Sequence, residues 1–233
     1  MRTHPVWVNN EILKENDLIE LDKNETHHLN NVLRIQESQE VHCLNGKGYL
    51  AKGSLIKEGK KLSVKLQTVT LIEKSFEVHA IGPLPKGKRL QLILEKFQEI
   101  GVTSYTPLIT EFTQKNSEKL HLEKSTARCI EAAKQSLNPW LIEIKPMMQF
   151  KNLSFNNSMF ILDQQGQFSL DPLSEFKNIT LLFGPEGGWS PNEFKAFEEN
   201  DIYKLKCNPN VLRMETAAIL GTAKCIDWYY ANA

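Results

Sequence analysis

The sequence predicts an α/β protein with a mostly parallel sheet, preceded by a small β-barrel. Two observations predict it. Up to about residue 73, short strand candidates alternate with glycine-bearing turns, the pattern of a small all-β module. From residue 74 onward, short apolar runs alternate with amphipathic stretches, which argues for a parallel sheet covered on both faces. With 233 residues, 41% of them hydrophobic and 9% aromatic, the chain can build two cores and is not a disordered protein. The predicted domains are 1–73 and 74–233.

In the first domain the strand candidates are Val41–Leu44, Tyr49–Ala51 and Leu62–Leu66. Asn45-Gly46-Lys47-Gly48 and Lys57-Glu58-Gly59-Lys60 read as the turns between them. Asn24 to Arg34 reads as a short helix with Leu29, Val32 and Leu33 on its apolar face. In the second domain the strand candidates are Val78–Ile81, Tyr105–Ile109, Met159–Leu162, Ile179–Phe183 and Ile202–Leu205. Leu90, Ile93, Leu94, Phe97 and Ile100 fall on one helical face, and Gly101 is placed to terminate that helix. A further helix covers about Glu118 to Ser136, with Leu120, Ala127, Ile130, Ala133 and Leu137 inward. A C-terminal helix has Ala217, Leu220 and Ile226 on its apolar side.

Composition excludes several classes. No apolar run approaches the roughly 18 residues needed to span a bilayer, and the first residues lack a secretory h-region. A cytoplasmic location with no membrane partner is expected. Cys43, Cys129, Cys207 and Cys225 are scattered, with no histidine at metal-ligand spacing, so no metal site is expected. Lys and Arg number 28, as do Asp and Glu, so any nucleic-acid contact must come from a local basic stripe. Lys47, Lys52, Lys57, Lys60, Lys61 and Lys65 form one, read either as an RNA contact or as a solvated hairpin.

Two stretches carry chemistry. Gly184-Pro185-Glu186-Gly187-Gly188-Trp189-Ser190-Pro191-Asn192-Glu193-Phe194 follows the most apolar strand and leads into a helix. Ser190 can cap that helix, Pro191 suits its first position, and Glu193 completes a reciprocal box. The glycines let the loop backbone approach a ligand. A dinucleotide or triphosphate fits poorly. There is no G-x-G-x-x-G or G-K-[ST] order, Pro185 removes a donor, and Glu186 puts negative charge where a pyrophosphate would sit. S-adenosylmethionine, which has no phosphate and carries a sulfonium cation, fits better. The second stretch, Cys207-Asn208-Pro209-Asn210-Val211-Leu212-Arg213-Met214-Glu215-Thr216-Ala217, turns from the last strand into the C-terminal helix. Arg213 and Glu215 read either as a structural ion pair or as functional groups.

Together these stretches resemble the 16S rRNA uridine-N3 methyltransferases of the SPOUT (α/β-knot) superfamily, which methylate the uracil at position 1498 in the usual numbering. His27-His28-Leu29 with Val32-Leu33-Arg34 is similar to the family's PUA-like barrel motif. Lys96-x-x-Glu99-Ile100-Gly101-Val102 is similar to its first α/β unit, and Lys134-Gln135-Ser136 to its helix-end motif. Two departures stand out: Cys207-Asn208 replaces Leu-Gly, and Leu137-Asn138 replaces Gly-Arg.

The resemblance implies a trefoil-knotted methyltransferase domain, S-adenosyl-L-methionine as cofactor, 16S rRNA or the small ribosomal subunit as partner, and a homodimer. It implies Arg213 and Glu215 as catalytic residues. It places the cofactor against Leu162, Gly184, Pro185, Glu186, Gly187, Gly188, Leu205, Cys207, Asn208, Val211, Leu212, Arg213, Thr216 and Ala217. For RNA docking it points to His27, His28, Arg34, Lys47, Lys52, Lys60, Lys61 and Lys96. Another SPOUT enzyme acting on tRNA or a ribose 2′-hydroxyl, or a non-catalytic RNA-binding assembly factor, stays open at this point.

Overall fold

A computed structural model describes residues 4–33, 38–59, 61–113 and 121–232. Arg34, Lys60 and the expected start of the helix at Glu118, with Leu120, lie outside them. The chain forms two compact units. One comprises Met1–Glu73 with Ile130–Leu141, the other Lys74–Cys129 with Ile142–Ala233.

The first unit is a five-stranded sheet of β1 (Pro5–Trp7), β2 (Leu18–Glu20), β3 (Glu40–Leu44), β4 (Tyr49–Glu58) and β5 (Lys61–Leu71), in the order β1-β3-β4-β5-β2. Only the β1–β3 pairing is parallel. Val41, Cys43, Ala51, Leu55, Val64 and Leu66 alternate inward, closing a core around Leu29. β4 runs well past the expected Ala51 because Gly53 holds an inward position. A Cβ there would stand 2.5 Å from the Lys65 carbonyl oxygen, and the ladder shifts register at that point. The expected helix is a short α1 (Lys23–His27) that continues as a π-helical turn over His28–Leu33. Asp22 caps α1, its Oδ1 accepting from the Asn24 and Glu25 amides at 2.9 Å each.

Ile130–Leu141 belongs to this unit, which no strand-and-turn pattern indicates. Ile130, Ala133, Leu137 and Leu141 pack with Trp7, Leu44 and Leu50. The Lys134 ammonium lies 2.6 Å from Glu25 Oε1, with both side chains under one-tenth exposed. Gly48 leaves room for Trp140: a Cβ would meet its ring at 2.4 Å. Leu137 has φ +54, and the Asn138 amide reaches back to the Ala133 carbonyl at 3.0 Å, a Schellman-type close. This is the left-handed position where the family pattern has glycine. Leu137 meets its backbone cost of about 1 kcal/mol by packing in the Trp7 cluster.

The second unit is built on a parallel sheet. Its strands are β6 (Glu77–Gly82), β7 (Ser104–Ile109), β8 (Glu143–Ile144), β9 (Met148–Gln149), β10 (Met159–Gln167), β11 (Asn178–Leu182) and β12 (Tyr203–Leu205). Their order is β12-β10-β11-β6-β7-β8, with β9 also on β7, and every pairing is parallel. Both faces are buried, as the apolar runs imply. Ile81, Met159, Ile161 and Leu182 enter a cluster with Trp189 and Phe197, while Val78, Phe160, Ile179 and Leu181 enter another with Leu205 and Cys225.

The helices are α2 (Lys88–Ile100), α3 (Leu122–Ser136), α4 (Pro191–Glu199) and α5 (Met214–Asn232). α2 buries Ile93, Leu94 and Phe97 and ends at Gly101 with φ +90, as expected. In α3 the inward stripe is Ser125, Cys129, Ala132 and Ala133. Ala127 is exposed, correcting its expected placement; it lies two positions from Ser125 and Cys129 and so faces away. In α5 the buried positions are Met214, Glu215, Ala218, Gly221, Thr222 and Cys225, with Ala217, Leu220 and Ile226 only half-buried.

Candidate active site

Three chain segments meet on the carboxyl-end side of neighbouring strands β10, β11 and β12, where open α/β sheets place their ligands, with β10 contributing from the point where its ladder to β12 becomes irregular after Leu162. They enclose a cavity of about 400 Å³. Leu162, Asp163 and Gln164 come from β10, Phe183 to Trp189 follow β11, and Cys207, Val211, Leu212, Met214 and Ala217 follow β12.

Local chemistry shapes each wall. The loop after β11 turns back on itself: Gly188 has φ +72, and its amide donates to the Pro185 carbonyl at 2.8 Å. A Cβ on Gly184 would stand 3.1 Å from the Trp189 indole, so glycine lets strand and ring close together. The loop ends in the expected box. The Glu193 amide donates to Ser190 Oγ at 3.2 Å, and the Ser190 amide donates to Glu193 Oε2 at 2.8 Å. The other carboxylate oxygen, Oε1, accepts from the Glu111 amide at 2.9 Å. The loop after β12 is held by an Asx turn, with the Asn210 amide on Asn208 Oδ1 at 2.9 Å. Gln164 Nε2 then donates to the Asn210 carbonyl at 2.7 Å, joining two walls.

The electrostatics are one-sided. The lining includes the carboxylates of Asp163 and Glu186 and no Lys, Arg or His. Glu186 is ion-paired with Arg89 of α2. Among the buried polar atoms that lack a partner in the described residues are Trp189 Nε1, on a residue of the cavity wall, and Glu215 Oε2, in the first turn of α5. Buried unpartnered polar atoms are rare in folded proteins and are common at ligand sites.

Of the residues expected at a cofactor, Leu162, Gly184, Pro185, Glu186, Gly187, Gly188, Cys207, Val211, Leu212 and Ala217 line this cavity. Leu205 does not; it packs beside Phe160 and Cys225 under the sheet. Asn208, Arg213 and Thr216 adjoin the wall in sequence without lining it. Asp163, Gln164, Phe183, Trp189, Phe194 and Met214 line it and were not anticipated. Arg213 is exposed and Glu215 is 6% exposed, and the two do not form an ion pair. Arg213 precedes α5, whereas Glu215 is buried in its first turn.

A smaller cavity, about 90 Å³, shares Pro185, Glu186, Gly187 and Met214 with the first. Its other walls are Pro83, Leu84, Pro85, Lys86, Arg89, Phe112 and Thr113.

The expected RNA-contact residues differ in exposure and pairing. His27 is exposed, with a ring nitrogen 2.8 Å from Asn31, and His28 is half-buried in the π turn. Lys47 and Lys52 are exposed. Lys61 pairs with Glu20 at 2.9 Å, and Lys96 sits between Glu95 and Glu99 at 3.2 and 2.7 Å. Exposed pairs of this kind are worth little and exchange readily. Among the described residues no group of three or more His, Cys, Asp or Glu could hold a metal ion, and no helix is long and apolar enough to cross a membrane.

The parallel sheet carries at its strand ends an acidic, glycine-walled cavity whose lining suits a ligand with little negative charge. Residues 72–225 match the model of the RNA methyltransferase domain, and residues 21–67 that of the RNA methyltransferase PUA domain. The chain therefore belongs to the RNA methyltransferase domain family. It is 29% identical to the ribosomal RNA small subunit methyltransferase E of Rickettsia conorii, covering 96% of this chain and 95% of that protein. To the Bacillus subtilis protein of the same name it is 25% identical, covering 94% and 93%. Its fold matches the crystal structure of the Neisseria gonorrhoeae methyltransferase E bound to S-adenosyl methionine, with a TM-score of 0.83 at 22% identity over 98% of both chains.

Proposed function

We propose that this protein transfers a methyl group from S-adenosyl-L-methionine to N3 of a uridine in 16S rRNA, position 1498 in the usual numbering. The observation that carries the cofactor half is the cavity at the ends of β10, β11 and β12. Its lining includes two carboxylates and glycine-rich backbone, and no Lys, Arg or His to neutralise a phosphate. That donor set suits an adenosine with a sulfonium and disfavours a dinucleotide. Gly184 to Gly188, Cys207, Val211 and Leu212 would hold the cofactor by backbone contact, with Leu162 and Ala217 packed against it. When bound, S-adenosylmethionine supplies an electrophilic methyl group.

The protein's own part is position and charge. Holding the two reactants in line supplies much of the rate. Uridine N3 is protonated at neutral pH, and its proton must leave before or during transfer. We assign Arg213, exposed beside the cavity-lining Met214, to stabilise the charge that develops on the uracil oxygens. Glu215 acts apart from it. Its buried carboxylate stands in the first turn of α5, where helix-terminal amides favour negative charge, and its free oxygen can accept a proton or a donor. N3 lies on the pairing edge, so the target base is taken unpaired.

The proposal extends to surroundings. His27, His28, Lys47, Lys52, Lys61 and Lys96, with Arg34 and Lys60, would contact rRNA phosphates. α5 carries apolar side chains around much of its circumference, with Tyr230 60% exposed, which supports a homodimer through that helix. The trefoil path of the C-terminal segment, domain limits at 73/74 and work in the cytoplasm complete the reading.

The test is reverse transcription across 16S rRNA from a strain lacking the gene. N3 methylation blocks pairing, so a stop at the target uridine should be present in the parent and absent in the deletion. An unchanged stop, or no calorimetric binding of S-adenosylmethionine to the purified protein, overturns the proposal.

A further inference from the structure

We infer that the smaller cavity is the slot for the target base, with Phe112 as its stacking platform and Lys86 and Arg89 at the phosphate of the same nucleotide. The inference rests on the methyl-transfer reading above and adds the residues that receive the RNA.

The shared wall is the first reason. Transfer requires donor and acceptor cavities to adjoin, and Pro185, Glu186, Gly187 and Met214 line both. The second is chemical character. Pro83, Leu84, Pro85, Phe112, Pro185 and Met214 give the small cavity flat apolar walls. A planar base removed from its stack recovers that stacking on such surfaces, whereas a charged or flexible ligand does not. Phe112 is 45% exposed, which is unusual for a phenylalanine without a partner surface. It is also held in place. A Cβ on Gly187 would stand 3.3 Å from Phe112 Cβ, so the loop fits closely against it. The preceding residue, Glu111, donates its amide to Glu193.

The third reason is charge at the rim. Lys86 and Arg89 line the cavity, whereas the larger cavity has no basic lining residue. They flank the start of α2, whose first turn carries no acidic residue. Helix amides and two cations there favour a phosphate. Arg89 holds Glu186 across the shared wall. A phosphate arriving at Arg89 would compete for that guanidinium and so link nucleotide entry to the loop that walls both cavities.

The experiment measures methyl transfer to small subunits from a strain lacking the modification, alongside calorimetry with S-adenosylmethionine. Phe112→Ala should lower kcat/KM by about tenfold or more, the usual worth of one stacked base, with cofactor affinity within about twofold of the parent. Phe112→Tyr should restore most of the loss, and Lys86→Gln with Arg89→Gln should raise KM for the subunit with little change in kcat. If Phe112→Ala folds poorly, Phe112→Leu keeps the apolar volume without the aromatic face and should show the same loss. Unchanged kinetics in Phe112→Leu, or a parallel fall in cofactor affinity, overturns the slot. A parent protein that binds the cofactor and methylates no subunit overturns the functional reading, and the slot with it.

Discussion

Removing the carboxylate of Glu193 should unfold the site from behind. One oxygen accepts the Ser190 amide and the other the Glu111 amide, and Glu193 is only 4% exposed. Hydrogen bonds to a charged acceptor contribute about 1.5–3 kcal/mol each, so Glu193→Ala should cost about 3–6 kcal/mol. That is a large share of the roughly 5–15 kcal/mol that holds a domain together. Glu193→Gln keeps one acceptor oxygen and should lose about half as much, while Ser190→Ala, which removes only the cap, should lose about 1 kcal/mol. Urea denaturation followed by circular dichroism reads the series. With a slope near 3 kcal/mol per molar, the alanine variant should shift its midpoint down by about 1–2 M. The same variant should bind S-adenosylmethionine more weakly, because the loop walling the cavity ends at Ser190. A Glu193→Ala protein within about 1 kcal/mol of the parent would refute the reasoning.

Three further outcomes are expected. Lys134→Ala should destabilise by about 3–5 kcal/mol by leaving Glu25 buried and unpaired, and Glu25→Leu with Lys134→Met should recover much of it in thermal melts; no recovery would mean the pair is not the cause. Burial pushes the Cys43, Cys129 and Cys225 thiols up to about 12; it raises Cys207 as well, but that thiol is only half-buried and lines the cavity. Iodoacetamide at pH 8 should therefore label Cys207 first, and S-adenosylhomocysteine should slow it; labelling of Cys225 at the same rate would contradict the structure. Burial, followed by the nearby Lys145, lowers the pKa of His79, whose Nδ1 is 2.8 Å from Ser104 Oγ. Between that lowered value and the unfolded value near 6.5 the unfolded chain binds the extra proton. Stability should fall as pH drops below about 6.5 until the folded value is reached, and His79→Gln should flatten that decline in melts at stepped pH.

Local chemistry explains which parts of the site were legible in sequence. The Ser190–Glu193 box, the Gly101 stop and the Asn208–Asn210 turn each depend on residues within a few positions, and all three are present. Asp163 and Gln164 lie in a polar run that reads as the end of a strand. The order β12-β10-β11 brings them to the cavity, and no neighbour in sequence encodes that order. Trp189 and Phe194, which flank the Ser190–Glu193 box in sequence, both also wall the cavity. The Arg213–Glu215 ion pair does not form, Arg213 being exposed and Glu215 buried, and Lys134, an ordinary surface lysine by composition, is buried because Glu25, 109 positions away, meets it.

The strand order also sets a timetable for synthesis. β6 emerges early, yet one of its two neighbours, β11, is made about a hundred residues later, and β10 and β12 build outward from β11. A nascent chain released before β11 would hold β6 with one of its two ladders unpaired and without the loops after β11 and β12 that wall the cavity. Such long-range pairing folds slowly, so cofactor affinity should arise only once the last helix has left the ribosome, leaving partial chains inert toward RNA modification.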